Sequence, residues 1–414
     1  MKITFWLGLT AIFYTYLGYP IIVWTLARFR PRPWRSAPIL PSVSIVLAVH
    51  NGAALLRNKV QHLLHLGYPN IREIIIVSDG STDGTAEVLA GIQHPLLKTI
   101  LLEEHGGKAV AVNAGIKAAS GEIVLFVDIR PEIAAGAIQK LVSNFADPQI
   151  GCVAGELLLR QEGSDAAAAA VGGLYWQFEQ WIRKCESTID SPVGVYGGFY
   201  AIRRELAAFQ PTGMILDDMF QPLSIIRKGF RSVLDPGANV YDAWPKDSGA
   251  EFHRKVRTLA GNFQLFQLAP WTLTTQNRTL FQLLSHKVLR LIVPYLMVLV
   301  LFTSFAASGP YAVFGMLQIF CMGLAVAGLR FHVPILNVIC APLSALLVLN
   351  TAAVVGLYKF LFTRGPLWKI WKTPMGKNVT PSNSPAISDQ VGSPGAVDSS
   401  SMPKEKAFPV EVRS

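Results

Sequence analysis

The sequence predicts an α/β domain with a mixed sheet, flanked by membrane-spanning helices at both ends. Short apolar runs alternate with helical stretches between Pro41 and Asp147, a pattern typical of a sheet wound with helices on both faces. Apolar segments near both ends are long enough to cross a bilayer, which takes about 20 residues. Hydrophobic residues make up 51% of the 414 residues and charged residues 15%, whereas a soluble domain carries about a quarter charged residues.

The first half of the domain is predicted to alternate strand and helix in a regular order. The predicted strands cover residues 43–49, 73–78, 99–102 and 122–127. The predicted helices cover residues 53–66, 85–89, 108–119 and 134–145. Each strand is a nearly continuous apolar run, so we expect a parallel sheet that is buried on both faces.

After residue 150 the pattern changes to a mixed-sheet extension. The predicted strands cover residues 152–159, 195–203 and 230–235, and the predicted helices cover residues 172–184 and 217–228. We expect this extension to complete one wall of a cleft.

Five regions follow from the hydrophobicity of the chain. An anchor with a basic flank (1–35) precedes the α/β domain (36–250), and a basic interfacial segment (251–286), further spans (287–362) and a basic flank with a disordered tail (363–414) follow it. Within the fourth region the predicted spans are 288–307, 311–329 and 333–358. We interpret the apolar run 5–26 as a retained anchor, because arginines and prolines follow it instead of a signal-peptide cleavage site.

The net charge of +10 is concentrated beside the apolar segments. Basic residues cluster at Arg28–Arg35 and at Lys359–Lys372, as expected for cytoplasmic flanks that face anionic lipid. One membrane span before the domain and three after it would put these two basic flanks on opposite sides of the membrane. Either one apolar segment does not cross, or one flank breaks the positive-inside rule. The sequence of the α/β domain lacks the basic helix that would indicate nucleic-acid binding. The four cysteines do not have the spacing of a disulfide framework or a zinc site.

Acidic residues stand where predicted strands end. Asp79 follows the second strand and Asp128 follows the fourth, and the pair Asp217-Asp218 opens a later helix. Ligands of open α/β sheets bind at the carboxyl ends of strands. This arrangement therefore predicts a site that handles hydroxyl groups and a cation.

An ordered set of motifs resembles the membrane-embedded branch of the family-two glycosyltransferases. The set comprises His50-Asn51, Ser78–Asp83, Gly106–Asn113, Asp128, Gly197–Arg203 and Leu216–Asp218. That branch includes the synthases of hyaluronan, chitin, cellulose and poly-N-acetylglucosamine. The resemblance covers residues 41–261 and implies the GT-A (nucleotide-diphospho-sugar transferase) fold.

The resemblance implies a donor half that binds a nucleotide sugar. Asp79 would hold the uracil or ribose, with Val49, His50 and Asn51 lining the same pocket. Lys108 would lie near the diphosphate or the uridine.

The resemblance also implies that Asp128 coordinates Mg²⁺ or Mn²⁺ bound to the diphosphate. The family's Asp-x-Asp here reads Asp128-Ile129-Arg130, which leaves metal dependence open. Arg130 either contacts phosphate or pairs with Glu132.

The acceptor half would centre on Asp218 as the general base of an inverting transfer. Asp217 would cap the following helix and contribute to acceptor binding together with Gly197 and Gly198. The alternative is that both acids only cap the helix.

Residues 253–261 fall where processive synthases carry Gln-x-x-Arg-Trp. Arg257 matches the arginine and would bind the leaving diphosphate, whereas Arg254 and Thr258 replace the glutamine and the tryptophan. The missing tryptophan puts processive synthesis in question. The alternative is a basic stripe at the membrane surface.

Taken together, these features predict an inverting glycosyltransferase of the inner (plasma) membrane with a cytoplasmic catalytic domain. The expected partners are a nucleotide sugar, most simply UDP-linked, a glycan or lipid-linked acceptor, and membrane lipid. A single-transfer lipid or polyprenyl-phosphate glycosyltransferase is the first alternative, and a non-catalytic partner subunit is the second. The sequence makes no prediction about oligomeric state.

Overall fold

A computed structural model describes residues 1–160, 166–243, 248–330 and 334–370. Its described part contains one eight-stranded mixed sheet. The strands are β1 (Val43–Val49), β2 (Ile71–Asp79), β3 (Leu97–Leu102), β4 (Ile123–Val127), β5 (Glu132–Ile133), β6 (Ile150–Arg160), β7 (Phe199–Arg203) and β8 (Arg231–Ala243).

The α-helices surround this sheet or extend away from it. In chain order they are α1 (Lys2–Phe13), α2 (Tyr19–Phe29), α3 (Ala53–Leu64), α4 (Thr85–Ala90), α5 (Lys108–Ala118), α6 (Ala137–Ser143), α7 (Ala166–Ile189), α8 (Asp217–Arg227), α9 (Ser248–Leu268), α10 (Leu280–Gln282), α11 (Leu289–Ala307), α12 (Pro310–Arg330) and α13 (Pro334–Phe362). The predicted disordered tail lies, from residue 371 onward, outside the described residues.

The strand order β3-β2-β1-β4-β7-β6-β8-β5 confirms a parallel half and a mixed extension. Strands β1 to β4 run parallel, and β7 joins β4 in the antiparallel sense. The extension differs from the prediction in three places. The last long strand continues to Ala243, and the short strand β5, which pairs with it, was not predicted. The third difference is that β7 begins at Phe199, because the main chain before it binds α8 instead of a strand.

The central strands are buried on both faces, which explains their continuous apolar sequences. On one face Ile45 and Leu47 of β1 pack with Leu56 and Leu63 of α3. On the other face Val46 joins a second apolar cluster that includes residues of α5. Alternate side chains of one strand thus serve two cores, and these cores fix the end of the sheet where Asp79 and Asp128 lie.

Four candidate membrane spans are present among the described residues. They are Lys2–Phe29, Leu280–Ala307, Pro310–Arg330 and Cys340–Phe362. The first is one continuous helix, because a π-helical turn joins α1 to α2. The number and approximate positions of the predicted apolar segments are confirmed.

A buried ionic cluster joins α7 to the helix of the second candidate span. The Glu179 carboxylate accepts hydrogen bonds from His286 Nε2 (2.9 Å), Lys287 Nζ (2.9 Å) and Arg290 Nη1 (2.7 Å). Burial opposes the charged form of Glu179. Nevertheless Arg290, His286 and Lys287 together hold its pKa well below the ordinary value.

The same cluster reaches the first candidate span through Glu186. Its Oε1 accepts hydrogen bonds from the Tyr19 hydroxyl (2.6 Å) and from His286 Nδ1 (2.8 Å). Both ring nitrogens of His286 thus face carboxylate oxygens, one of Glu179 and one of Glu186. The α/β domain and two apolar helices therefore share one network of hydrogen bonds among charged and polar side chains.

We expect Glu179→Gln to lower the free energy of unfolding by roughly 3–5 kcal/mol, because it leaves buried cations without their counter-charge. The measurement is thermal unfolding of the purified protein in detergent. Glu103→Gln, an exposed substitution, is the control. The pKa of Glu179 is lowered on folding, so this stabilisation is present above the pKa of the unfolded chain and is lost on acidification. Equal unfolding midpoints for the variant and the wild type at neutral pH would contradict the role given to the cluster.

Candidate active site

One lysine connects the two halves of the cleft. Lys108, the first residue of α5, places its Nζ 3.2 Å from Asp128 Oδ1 and 3.2 Å from Asp217 Oδ2. Burial disfavours its charge, but the two carboxylates raise the pKa of Lys108 above the ordinary value. Asp128 follows β4 and Asp217 opens α8, so this ammonium group holds the end of the parallel sheet against the mixed extension.

Asp79 organises the loop that presents Lys108. Its carboxylate accepts hydrogen bonds from the main-chain N–H groups of Gly106 (2.8 Å) and Gly107 (2.9 Å) and from His105 Nδ1 (2.8 Å). Gly107 has φ +89°, a conformation that favours glycine. The Asp79 side chain is only 2% exposed, so its predicted contact with a nucleotide remains a prediction, and the contact it makes is with the loop.

The residues that follow β1 lie beside this loop. The imidazole rings of His50 and His105 stack with their centroids 3.6 Å apart, and His50 Nδ1 lies 2.6 Å from the main-chain oxygen of Asp79. Asn51 adopts φ +53° and its Oδ1 accepts a hydrogen bond from Thr82 N. Val49, by contrast, packs its side chain into the core, so only its main chain can line the predicted pocket.

The two acids at the start of α8 differ in their partners. Asp218 Oδ1 is buried and accepts no hydrogen bond from the described residues, whereas Asp217 Oδ2 lies in the ion pair with Lys108. Burial, and next the charge of Asp217, raise the pKa of Asp218 to about 6. Burial also raises the pKa of Asp217, against the effect of Lys108. Neither side chain caps α8, whose N-cap position is Leu216, so the predicted capping role of Asp217 is wrong: it pairs with Lys108 instead.

The glycine pair Gly197-Gly198 brings the two halves into contact. A Cβ atom on Gly197 would lie 3.0 Å from Cβ of Asp218. The Gly198 carbonyl accepts a hydrogen bond from the main-chain N–H of Asp128 (3.2 Å), and Val195 N donates to the Asp218 carbonyl (2.9 Å). Small residues are needed here because two functional segments approach the same main chain.

The turn after β4 carries one acidic residue, Asp128, and one positively charged residue, Arg130. Arg130 Nη2 lies 3.6 Å from Asp242 Oδ2 on β8, whereas Glu132 pairs with Arg160 (2.8 Å). The predicted alternative that Arg130 pairs with Glu132 is therefore wrong. Among the described residues no three His, Cys, Asp or Glu side chains form a metal cage. The Asp128 carboxylate, 42% exposed, instead fits a cation that takes its other ligands from phosphate and water.

Helix α9 contributes basic residues near the carboxylates. Arg257 reaches solvent, but the protein packed around its guanidinium group reduces its hydration and lowers its pKa, and the charges of Asp128 and Asp218 act against this effect. Arg254 donates to Glu251 (2.7 and 2.9 Å), and the Thr258 hydroxyl donates to the main-chain oxygen of Arg254. Arg257 thus feels the charge of the site, whereas Arg254 is engaged within its own helix.

Sequence reasoning missed two aromatic residues at the site. Trp368, in the 3-10 helix Leu367–Ile370, packs against Gly107, whose added Cβ would lie 3.0 Å from the ring, and meets His105 edge to face at 4.4 Å. Tyr196 directly precedes the glycine pair, and its hydroxyl fills the space beside Gly198. A tryptophan within a basic flank and a tyrosine beside paired glycines were the available signals.

Comparison with known proteins shows which proteins the α/β domain resembles. Residues 44–208 match the family model described as glycosyl transferase family 2. The poly-beta-1,6-N-acetyl-D-glucosamine synthase of Staphylococcus aureus (strain COL) is 25% identical over 276 residues, which are 63% of this chain and 65% of that protein. The synthase of the same name from Staphylococcus epidermidis is 27% identical over 252 residues, or 59% of this chain and 61% of that protein. The chain therefore spans slightly less than two thirds of the length of these curated relatives.

A solved structure has the same fold. The mannosyltransferase PcManGT from Pyrobaculum calidifontis, in complex with GDP-Man and Mn²⁺, superposes with a TM-score of 0.67 at 23% identity. The similarity covers 87% of this chain and 100% of that one. The fold, the motif resemblance and the family match agree. The chain has the GT-A fold, its residues 44–208 match the family 2 glycosyl transferases, and its described part includes candidate membrane-spanning helices.

Proposed function

We propose that the protein transfers a sugar from a nucleotide diphosphate sugar to an acceptor hydroxyl, with inversion at the anomeric carbon. The observation that carries this proposal is the convergence on Lys108. Its ammonium group contacts Asp128 on the donor side and Asp217 on the acceptor side, next to Asp218, whose Oδ1 has no hydrogen-bond partner among the described residues. A diphosphate and an acceptor hydroxyl would meet between these groups.

The donor half would hold the diphosphate with cations and the nucleoside with the loops around β1 and β2. Lys108 and Arg257 supply positive charge, which phosphate oxygens bind strongly. His50 and Asn51 would line the nucleoside pocket, and Asp79 would act mainly through the loop that it holds. UDP-N-acetylglucosamine is the first donor to test, since the relatives in Staphylococcus are named as N-acetylglucosamine polymer synthases.

A divalent cation, Mg²⁺ or Mn²⁺, would be held by Asp128 and the donor diphosphate. When bound, it supplies positive charge that stabilises the leaving nucleotide. The exposed carboxylate of Asp128 supports this assignment, and the structural neighbour from Pyrobaculum calidifontis contains Mn²⁺. Arg130 points toward Asp242, so we assign it no contact with the cation or the diphosphate.

The acceptor half would perform general base catalysis. The acceptor oxygen attacks the anomeric carbon, the bond from that carbon to the diphosphate oxygen breaks, and the acceptor proton passes to Asp218. A carboxylate with a pKa of about 6 is ionised at neutral pH and is a stronger base than an ordinary aspartate. Gly197 leaves room for this carboxylate, and Asp217 holds Lys108 in place.

We place the catalytic domain on the cytoplasmic side of the inner membrane. The chain leaves this domain near Leu280 and meets it again at Trp368, so the helices between them would cross the bilayer an even number of times. The last helix, α13, packs on α9, with Phe360 stacked on Phe263 at 5.8 Å, and is the one we assign as not crossing. Both basic flanks then lie on the same side, as the positive-inside rule requires.

Membranes that contain the protein should transfer radiolabel from UDP-N-acetylglucosamine to a product, and EDTA should stop this transfer until Mn²⁺ or Mg²⁺ is restored. Other UDP-sugars and GDP-mannose serve as competing donors, and membranes without the protein are the control. A preference for GDP-mannose would overturn the donor assignment. No transfer from any of these donors would overturn the proposed function.

A single-transfer lipid glycosyltransferase is the second candidate. The observation in its favour is Thr258, whose hydroxyl is bound to its own helix at the position of the family's acceptor tryptophan. The length of the labelled product separates the two candidates. A ladder of long glycans supports a polymer synthase, and a lipid-soluble product with one added sugar supports the second candidate.

We expect Asp218→Asn to lower the turnover number by about 10²–10⁴-fold, the usual contribution of a general base. The amide has nearly the same shape but cannot accept the proton, so the affinity for UDP in the presence of Mn²⁺ should stay close to that of the wild type. The measurements are initial rates and calorimetric titration with UDP. Wild-type turnover by the variant would show that another group is the base.

The pH profile should report the same carboxylate. Because the pKa of Asp218 is raised to about 6, kcat/KM is expected to fall by about tenfold per pH unit below that value, as the base becomes protonated. Initial rates between pH 5 and 8 at constant ionic strength test this expectation. A rate that is independent of pH over this range is incompatible with the assignment.

A further inference from the structure

Lys59 is a buried lysine that the reaction described above does not use. It lies on α3, its side chain is 5% exposed, and its neighbours on the same face include Leu56 and Leu63. Its Nζ donates a hydrogen bond to the main-chain oxygen of Pro131 at 2.5 Å. Lysine is almost never fully buried unless its ammonium group has a partner. Here the partner is a main-chain oxygen, so the contact indicates a specific role.

The partner of Lys59 belongs to the turn that carries Asp128. Two residues separate Asp128 from Pro131, and the turn then continues into β5. One helical turn beyond Lys59, His62 Nε2 accepts a hydrogen bond from Ile133 N (3.0 Å). Helix α3 therefore binds the segment from Pro131 to Ile133 through Lys59 and His62, which lie on one face of the helix.

The charges around Lys59 match this arrangement. Burial lowers the pKa of Lys59 to about 8, and the carboxylates of Asp128, Asp242 and Glu132 act against burial. None of these carboxylates is within ion-pair distance of its Nζ in the described part of the chain. Burial and then Lys59 also lower the pKa of His62, which keeps the imidazole neutral and able to accept the Ile133 N–H.

This lysine also bears on the departure of the turn from the family motif. The second acid is replaced by Arg130, whose guanidinium group points to Asp242. The turn therefore has a single carboxylate to present to the diphosphate, and the orientation of that carboxylate depends on how the main chain of the turn is held.

We propose that Lys59 is a positioning residue for the donor site: through Pro131 it fixes the turn that presents Asp128 to the diphosphate. It touches neither donor nor acceptor. The inference rests on the proposed function, since it presupposes that Asp128 acts on a nucleotide sugar.

The test compares Lys59→Met, which removes the donor and the charge, with Lys59→Arg, which keeps both. Lys117→Met, an exposed position on α5, is the matched control. For each protein we would measure the Kd for UDP with Mn²⁺ by calorimetry, KM and kcat for the donor, and the unfolding midpoint. We expect Lys59→Met to raise the Kd and the donor KM by about 10–100-fold, the usual effect of losing the support of a ligand side chain. Lys59→Arg should remain within about threefold of the wild type, and the acidic limb set by Asp218 should not move.

A merely structural role gives a different result. In that case Lys59→Met lowers the unfolding midpoint and the amount of active protein but leaves the Kd and the KM unchanged, which overturns the inference. If Lys59→Met does not fold, Lys59→Gln, whose amide can still donate to Pro131, takes its place, with an expected Kd between those of the other two variants. If the wild type neither binds UDP nor transfers sugar, the proposed function fails. If the wild type does both and Lys59→Met has the same Kd and KM, this inference alone fails.

Discussion

The structure depends on one cation between two carboxylates. Lys108 is contributed by the loop after β3, Asp128 by the end of β4, and Asp217 by the start of α8, three segments far apart in sequence. Without the ammonium group, the carboxylates of Asp128 and Asp217 would lie close together without a counter-charge, which is unfavourable. With it, the same acids hold the parallel half of the sheet and its mixed extension at a fixed separation. An incoming diphosphate would compete for this lysine, so substrate binding and the geometry of the acids are coupled.

The burial of Asp218 lowers the stability of the folded chain at neutral pH. A carboxyl group whose pKa is raised on folding holds its proton more tightly in the folded chain than in the unfolded one. Ionisation of this group therefore costs stability as the pH rises from about 4 to 6. Ionisation of Glu179 has the opposite effect on stability. The cations around this buried acid lower its pKa, so its charged form stabilises the fold at neutral pH.

The sequence was sufficient for the order of the elements and for the convergence of Lys108, Asp128 and Asp218, because apolar runs and strand-end acids carry local signals. It was insufficient where a side chain chooses between distant partners. Whether Arg130 meets Glu132 or Asp242 depends on β8, whose continuation to Ala243 has no clear apolar pattern. The capping role expected for Asp217 failed for a similar reason: a tertiary ion pair with Lys108 outweighs a local hydrogen bond. The saturated carboxylate of Asp79 also could not be foreseen, since its partners are main-chain N–H groups.

The contact between Trp368 and Gly107 has a consequence for biosynthesis. The loop around Gly107 leaves the ribosome early, whereas Trp368 emerges only after every apolar helix has been made. The nascent catalytic domain can form its sheet and its Asp79 hydrogen bonds, but the aromatic ring that packs on its donor loop arrives last. Complete packing of this loop is thereby linked to the synthesis of the last candidate span, so the loop around Gly107 is among the last parts of the α/β domain to reach its final surroundings.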